Sequence, residues 1–164
     1  MKNFDFNKVV QEKFKFLEKV YNCRCIKSIK ENWGCKVIYI NETTGVKITY
    51  EYREAYIFIT LYKLLNGVLI ENPGVINEDT LLYGFDLDDI INISNPTDLI
   101  KPTYEYSNNS VYHNKNNGFK LYISDFAKNL EKYGNDVLSG NFEIFKEIEI
   151  IVKKRAKLND RFSG

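Results

Sequence analysis

The sequence has one histidine and three cysteines, too few for most metal sites and for most sets of nucleophilic catalytic residues. The histidine, His113, lies in an Asn-rich stretch, and no nucleophile motif surrounds it. A structural zinc site takes about four Cys or His ligands, and Cys23, Cys25 and Cys35 lie far from His113 along the chain. We therefore expect free thiols, no bound metal and no catalytic residue.

Long apolar runs, phosphate-binding loops and an excess of one charge are also missing. No apolar run approaches the roughly 20 residues of a membrane-spanning helix, and the first residues lack the apolar core of a signal peptide. The nine glycines form no dinucleotide or Walker pattern. There are 23 Lys and Arg against 22 Asp and Glu, a net charge of +1. These features predict a cytoplasmic chain without a nucleotide cofactor and without a membrane or nucleic-acid partner.

The length and composition predict one folded domain. The 164 residues are 44% hydrophobic and 27% charged. A chain of this length buries roughly two-thirds of the surface that its unfolded form exposes, which suffices for a core without metals or disulfides. We expect a single domain over residues 1–164.

Hydrophobic spacing divides the chain into helices and strands. Apolar residues step by three and four over 5–21, 119–137 and 142–158, which predicts three helices, with Asn3 or Asp5 capping the first and Gly140 and Asn141 between the last two. Between residues 25 and 65 the period changes to two. The sequence therefore predicts an α+β fold: an antiparallel four- to five-stranded meander with an N-terminal helix and two C-terminal helices packed on one face.

The register of the central hairpin follows from two apolar rows. A tight turn at Arg53 and Glu54 pairs three apolar residues of one strand with three of the next. The predicted core pairs are Val46–Leu61, Ile48–Ile59 and Tyr50–Ile57.

The outer parts of the sheet carry weaker signals. Residues 25–31 are predicted to form the first strand, and Gly45 is expected to take a positive φ in the loop before the third strand. Turn signals bracket a short fifth strand at 68–71, and residues 86–93 are expected to form a short helix. Residues 104–118 are predicted to form a long polar loop.

The densest acidic stretch supplies the first candidate partner-binding surface. Acids at the start of a helix favour its macrodipole, and they can also dock on a basic protein partner. A nearby aromatic residue would serve as the anchor of such an interface. The candidate residues are Glu78, Asp79, Asp86, Asp88 and Asp89, with Tyr83 or Phe85 as the anchor.

The second face of the sheet is the alternative binding surface. Aromatic residues alternate there with polar and charged ones, a composition typical of an interface core with a polar rim. The competing prediction is that residues 77–118 fold over this second face of the sheet and bury it. The candidate residues are Glu51, Tyr56, Phe58 and Tyr62.

Two segments resemble a group of bacterial proteins. LSGNFEIFKEIEIIVKKRAK at 138–157 and YEYREAYIFITLY at 50–62 are similar to small uncharacterised proteins of Gram-positive bacteria, whose genes neighbour polymorphic-toxin genes and which look like immunity proteins. The resemblance implies a cytoplasmic protein that binds and blocks a cognate toxin domain, and it supplies no catalytic residue. The alternative is a small-molecule or regulatory ligand-binding domain that uses the aromatic sheet face as a pocket wall.

Overall fold

The computed structural model describes residues 4–163 and has the predicted α+β architecture. Five strands follow one another in a single antiparallel sheet of order β1-β2-β3-β4-β5. The strands are β1 (Arg24–Glu31), β2 (Gly34–Ile40), β3 (Thr44–Glu51), β4 (Tyr56–Lys63) and β5 (Gly84–Asp86). The helices are α1 (Phe6–Lys13), α2 (Phe16–Lys19), α3 (Leu87–Ser94), α4 (Gly118–Tyr133), α5 (Asn135–Leu138) and α6 (Glu143–Ser163).

The predicted register of the central hairpin is confirmed. Val46 pairs with Leu61, Ile48 with Ile59 and Tyr50 with Ile57. Five of these six side chains are buried, and the partly buried Tyr50 packs against the core through the rings of Phe6 and Phe119. The two apolar rows fix this register because a slip of one residue would turn the row of the shifted strand to the other face of the sheet.

The helices pack on one face of the sheet. The same face of β2 buries Cys35, Val37 and Tyr39, and β5 adds Phe85. The helices contribute buried residues at helical spacing, which lie opposite the strands in one continuous core. They include Val10, Phe14, Leu17, Ile91, Tyr122, Ile123, Leu130 and Ile148.

The predicted helix ends are largely confirmed, and two helices are interrupted. The side chain of Asp5 accepts a hydrogen bond from Lys8 N, Gly140 has φ +90°, and Asn141 Oδ1 accepts from Glu143 N at 3.1 Å. The first helix is not continuous, because Leu17 N bonds to Phe14 O three residues back and separates α1 from α2. Gly134 separates α4 from α5.

The fifth strand lies elsewhere than predicted. Residues 68–71 make only the single bridge Leu65–Val68, and β5 at 84–86 completes the sheet. Asn72 explains how so short a strand holds: its Nδ2 donates to Gly84 O at 2.6 Å, and its Oδ1 accepts from Tyr83 N and Gly84 N. One side chain thus satisfies backbone groups of β5 that a sixth strand would otherwise pair.

The expected role of Gly45 was wrong. Gly45 lies inside β3 rather than in the loop, and it does not have a positive φ. A Cβ there would lie 2.8 Å from Leu69 Cδ1 and 3.2 Å from Leu64 Cδ2. The missing side chain makes room for the segment after β4 to pack on the second face of the sheet.

Candidate functional site

Three of the predicted acidic residues meet where β5 runs into α3. Asp86 ends the strand, and Asp88 and Asp89 lie in the first turn of the helix, where carboxylates favour the macrodipole. Asp86 accepts a hydrogen bond from Thr60 Oγ1 at 3.2 Å. Asp86 is exposed, but nearby protein atoms displace part of the water around its carboxylate; this desolvation and the neighbouring charge of Asp89 raise its pKa.

Asp88 is tied to the sheet by a tyrosine. The Tyr56 hydroxyl lies 2.6 Å from Asp88 Oδ2 and 2.9 Å from Ile100 O, and its one hydrogen can be donated fully to only one of them. Burial, followed by the charges of Asp86 and Asp89, raises the pKa of Asp88 to about 6 against the opposing hydrogen bond from Tyr56. When Asp88 is protonated, its carboxyl group donates a hydrogen bond to Tyr56 Oη, and the tyrosine hydrogen is then donated to Ile100 O. All three groups are hydrogen-bonded in this state.

Asp89 and Glu78 meet the basic end of α6. Both guanidinium nitrogens Nη1 and Nη2 of Arg155 donate to the carboxylate oxygens of Asp89, each at 3.0 Å. Lys157 forms an ion pair with Glu78, and Lys153 Nζ donates to Glu78 O at 2.7 Å. The acidic stretch and the basic C-terminal helix therefore neutralise each other in part, so they do not form two independent surfaces.

This pairing changes the role of the first candidate surface. Phe85 is only 4% exposed, and its ring lies 4.6 Å from that of Phe145. It is a core residue, so the prediction of Phe85 as an exposed anchor was wrong. Tyr83 is partly buried, and Asp79 is exposed. Asp86 remains as an acid that faces solvent without an ion pair to any described residue.

The alternative sheet face is covered at both ends and open in the middle. Tyr56 is 8% and Tyr62 1% exposed, so neither can anchor a partner, whereas Glu51 and Phe58 are partly accessible. The covering segment is partly the one we expected. Residues 64–84 cover the Tyr62 end, and at the Tyr56 end the tyrosine hydroxyl contacts Asp88 and Ile100, which lie within the predicted 77–118. Most of residues 98–118 lie elsewhere: Tyr122 Oη of α4 donates to Lys101 O.

Glu71 attaches the covering segment to the sheet. Its carboxylate accepts a hydrogen bond from Tyr62 Oη at 2.7 Å and forms an ion pair with Lys47 Nζ at 2.9 Å. Burial acts to raise the pKa of Glu71, but the hydrogen bonds from Tyr62 and Lys47 outweigh it, and the pKa lies below its ordinary value. This contact leaves the rest of the second face uncovered.

We call the uncovered part the open face. It contains a recess of about 300 Å³. Its residues are Trp33, Lys36, Lys47, Thr49, Glu51, Phe58, Thr60 and Asp86. Trp33, the single tryptophan of the chain, is 41% exposed, and Lys36 Nζ lies 5.8 Å from the centre of its ring.

A second depression continues from the open face toward α6. We call this depression of about 390 Å³ the groove. Thr60 and Asp86 line both, so the open face and the groove form one continuous surface. The far side of the groove is formed by α6, with Arg155 and Asp160 among its lining residues.

The remaining candidate residues have structural surroundings. The three cysteines are free thiols; burial raises the pKa of Cys23 to about 11, which makes it a poor nucleophile. His113 lies in an exposed 3₁₀ turn, with Nε2 3.4 Å from Tyr106 O. Within residues 4–163, no cluster of three or more His, Cys, Asp or Glu side chains is placed to hold a metal ion.

Comparison of the chain with models of known protein families, with curated proteins and with solved structures finds no match. Among the helices described, none combines the length and the apolar character required to cross a membrane.

Proposed function

We propose that this chain is a non-enzymatic binding protein that acts through a protein–protein interface, and that its partner is a cognate bacterial toxin domain that it neutralises in the cytoplasm. The observation that carries the proposal is the open face. It combines an exposed tryptophan in the turn between β1 and β2 with a partly accessible phenylalanine and charged residues on the sheet. Tryptophan and other aromatic residues are enriched among the side chains that contribute most to protein–protein affinity.

The sequence resemblance of residues 50–62 and 138–157 to immunity-like proteins supports the nature of the partner. The first segment supplies Glu51, Phe58 and Thr60 to the open face, and the second supplies Arg155 and Ala156 to the groove. The resembling residues therefore contribute to the surface that we propose for binding.

The ligand-binding alternative fits the structure less well. Small-molecule sites are mostly apolar and bury most of their ligand. The recess of the open face is instead lined by four charged side chains, Lys36, Lys47, Glu51 and Asp86. A broad protein surface suits this lining better than an enclosed ligand does.

The test is co-expression with the product of the gene immediately upstream, which the proposal predicts to encode a toxin. We expect the two proteins to purify together and the chain to restore growth of cells that make the toxin. A toxin domain from an unrelated locus is the matched control and should be neither bound nor neutralised. If the chain neither binds the neighbouring gene product nor protects against it, the proposal is wrong.

A further inference from the structure

The open face is a sheet surface that the described residues of the chain leave uncovered. Cross-strand neighbours Lys36, Thr49 and Phe58 form one row, and Lys47, Thr60 and Asp86 form the next. The helices pack on the opposite face. Residues 64–84 cover the row of Tyr62, and Glu71 of this segment reaches the next row through its ion pair with Lys47. The two central rows are thus a part of the second face that a partner can approach without displacing helices.

The charges of this surface are unbalanced once the internal pairs are set aside. Lys47 is neutralised by Glu71, and Arg155 is neutralised by Asp89. Across the open face and the groove, the charged groups that form no ion pair with a described residue are the carboxylates of Glu51, Asp86 and Asp160 and the ammonium group of Lys36. Three carboxylates against one ammonium group leave an acidic surface.

The surroundings of Asp86 and Trp33 indicate what such a surface binds. Nearby protein atoms and Asp89 raise the pKa of Asp86, so a positive charge placed beside it would gain from stabilising its ionised form. The indole of Trp33 offers apolar area; because Lys36 Nζ already lies 5.8 Å from the centre of its ring, we expect apolar contact there rather than a further cation–π contact. These residues lie at opposite margins of one recess.

Resting on the proposed function, we infer that the open face and the groove receive a basic segment of the toxin domain, with a lysine or arginine side chain seated against Asp86 and apolar contact made by Trp33 and Phe58. The internal pairs Lys47–Glu71 and Arg155–Asp89 hold the walls of this surface in place before the partner arrives. Charge complementarity selects this partner, because an acidic segment would meet three uncompensated carboxylates.

The first experiment measures binding of the neighbouring gene product by isothermal calorimetry. Trp33→Ala should weaken binding by about 30-fold or more, as expected for an aromatic anchor. Asp86→Asn keeps an acceptor for Thr60 Oγ1 and removes only the charge; it should weaken binding by about tenfold and reduce the dependence of affinity on salt. Circular dichroism checks that both variants are folded.

Matched control variants lie away from this surface. Tyr104→Ala removes a tyrosine that is 66% exposed, and Asp136→Asn removes an exposed acid in the short helix α5. Both should change the affinity by less than about twofold. If a complex forms and Trp33→Ala and Asp86→Asn bind as tightly as the unchanged chain, the surface is wrong and the proposed function stands.

A second experiment tests the surface without the toxin. A capped hexa-arginine peptide is titrated into the isotope-labelled chain and followed by nuclear magnetic resonance, with hexa-glutamate as the opposite probe. The arginine peptide should shift the backbone signals of Thr49, Thr60 and Asp86 and the indole signal of Trp33, and the glutamate peptide should not. Shifts centred elsewhere, or no shifts, would overturn the inference. This result does not depend on the toxin, so it tests the surface even if the neighbouring gene product fails to bind and the proposed function is wrong.

Discussion

Replacing Asp88 by asparagine should make the protein more stable at neutral pH, although it removes a hydrogen-bonded carboxylate. In the folded protein the Asp88 carboxyl group has a pKa of about 6, against an ordinary value of 3.8. Because the folded state holds this proton more tightly than the unfolded state, the stabilisation is full below about pH 4 and is lost as the pH rises through 6. This difference in pKa corresponds to a change of at most about 3 kcal/mol in the free energy of unfolding. Partial exposure of Asp88 reduces the expected change to about 1–2 kcal/mol.

The structure explains why asparagine suits this position. At neutral pH the single hydrogen of Tyr56 Oη cannot serve both Asp88 Oδ2 and Ile100 O. An asparagine amide donates to Tyr56 Oη as the protonated acid does, and the tyrosine then donates to Ile100 O. The substitution also removes the repulsion that Asp88 exerts on Asp86 and Asp89.

The assay is urea unfolding from pH 4 to pH 8, followed by the fluorescence of the single tryptophan. The free energy of unfolding of Asp88→Asn minus that of the unchanged chain should increase between pH 4 and pH 7, since contributions from acids that do not interact with Asp88 cancel in the difference. Tyr56→Phe is the matched control, because it removes the hydroxyl and leaves the carboxylate. A difference that is constant over this pH range would refute the assignment of the raised pKa to Asp88.

Three further predictions concern stability, each measured by chemical unfolding with circular dichroism. Ile59→Ala truncates a side chain that is 4% exposed and should cost about 2–5 kcal/mol; a cost below about 1 kcal/mol would contradict its core position. Gly84→Ala places a Cβ 2.5 Å from Tyr62 Cε1 and should cost about 1–3 kcal/mol, whereas Gly74→Ala meets no atom within 4 Å and should be nearly neutral. Arg155→Gln removes the charge and the paired hydrogen bonds to Asp89 and should cost about 0.5–1 kcal/mol at low salt and less at high salt; an equal cost at both would argue against this ion pair.

The acidic stretch shows where reasoning from the sequence stopped. Asp86, Asp88 and Asp89 were correctly placed at a helix start, because a local signal is sufficient for that. The ion pair of Asp89 with Arg155 joins residues 66 positions apart, and only the packing of α6 against α3 brings them together. A near-zero net charge with separate acidic and basic segments was the one hint of this pairing in the sequence.

The second face of the sheet also shows which features the sequence predicted and which depended on packing. Alternation assigned Tyr56, Phe58 and Tyr62 to the second face, but it could not say which of them other segments would cover. That depended on Gly45, whose missing side chain admits Leu69. Trp33 carried no periodic signal because it lies in a turn between two strands.

The sequence by itself determined the fold class, the central register and the helix caps of this protein. These features depend on neighbouring residues or on two apolar rows that must coincide, so periodicity and local hydrogen bonding encode them. The tertiary structure alone decided the position of β5, the burial of Phe85 and the extent of the open face. Asn72 holds β5 from twelve residues away in the chain, and such a contact has no repeating pattern that a sequence could reveal.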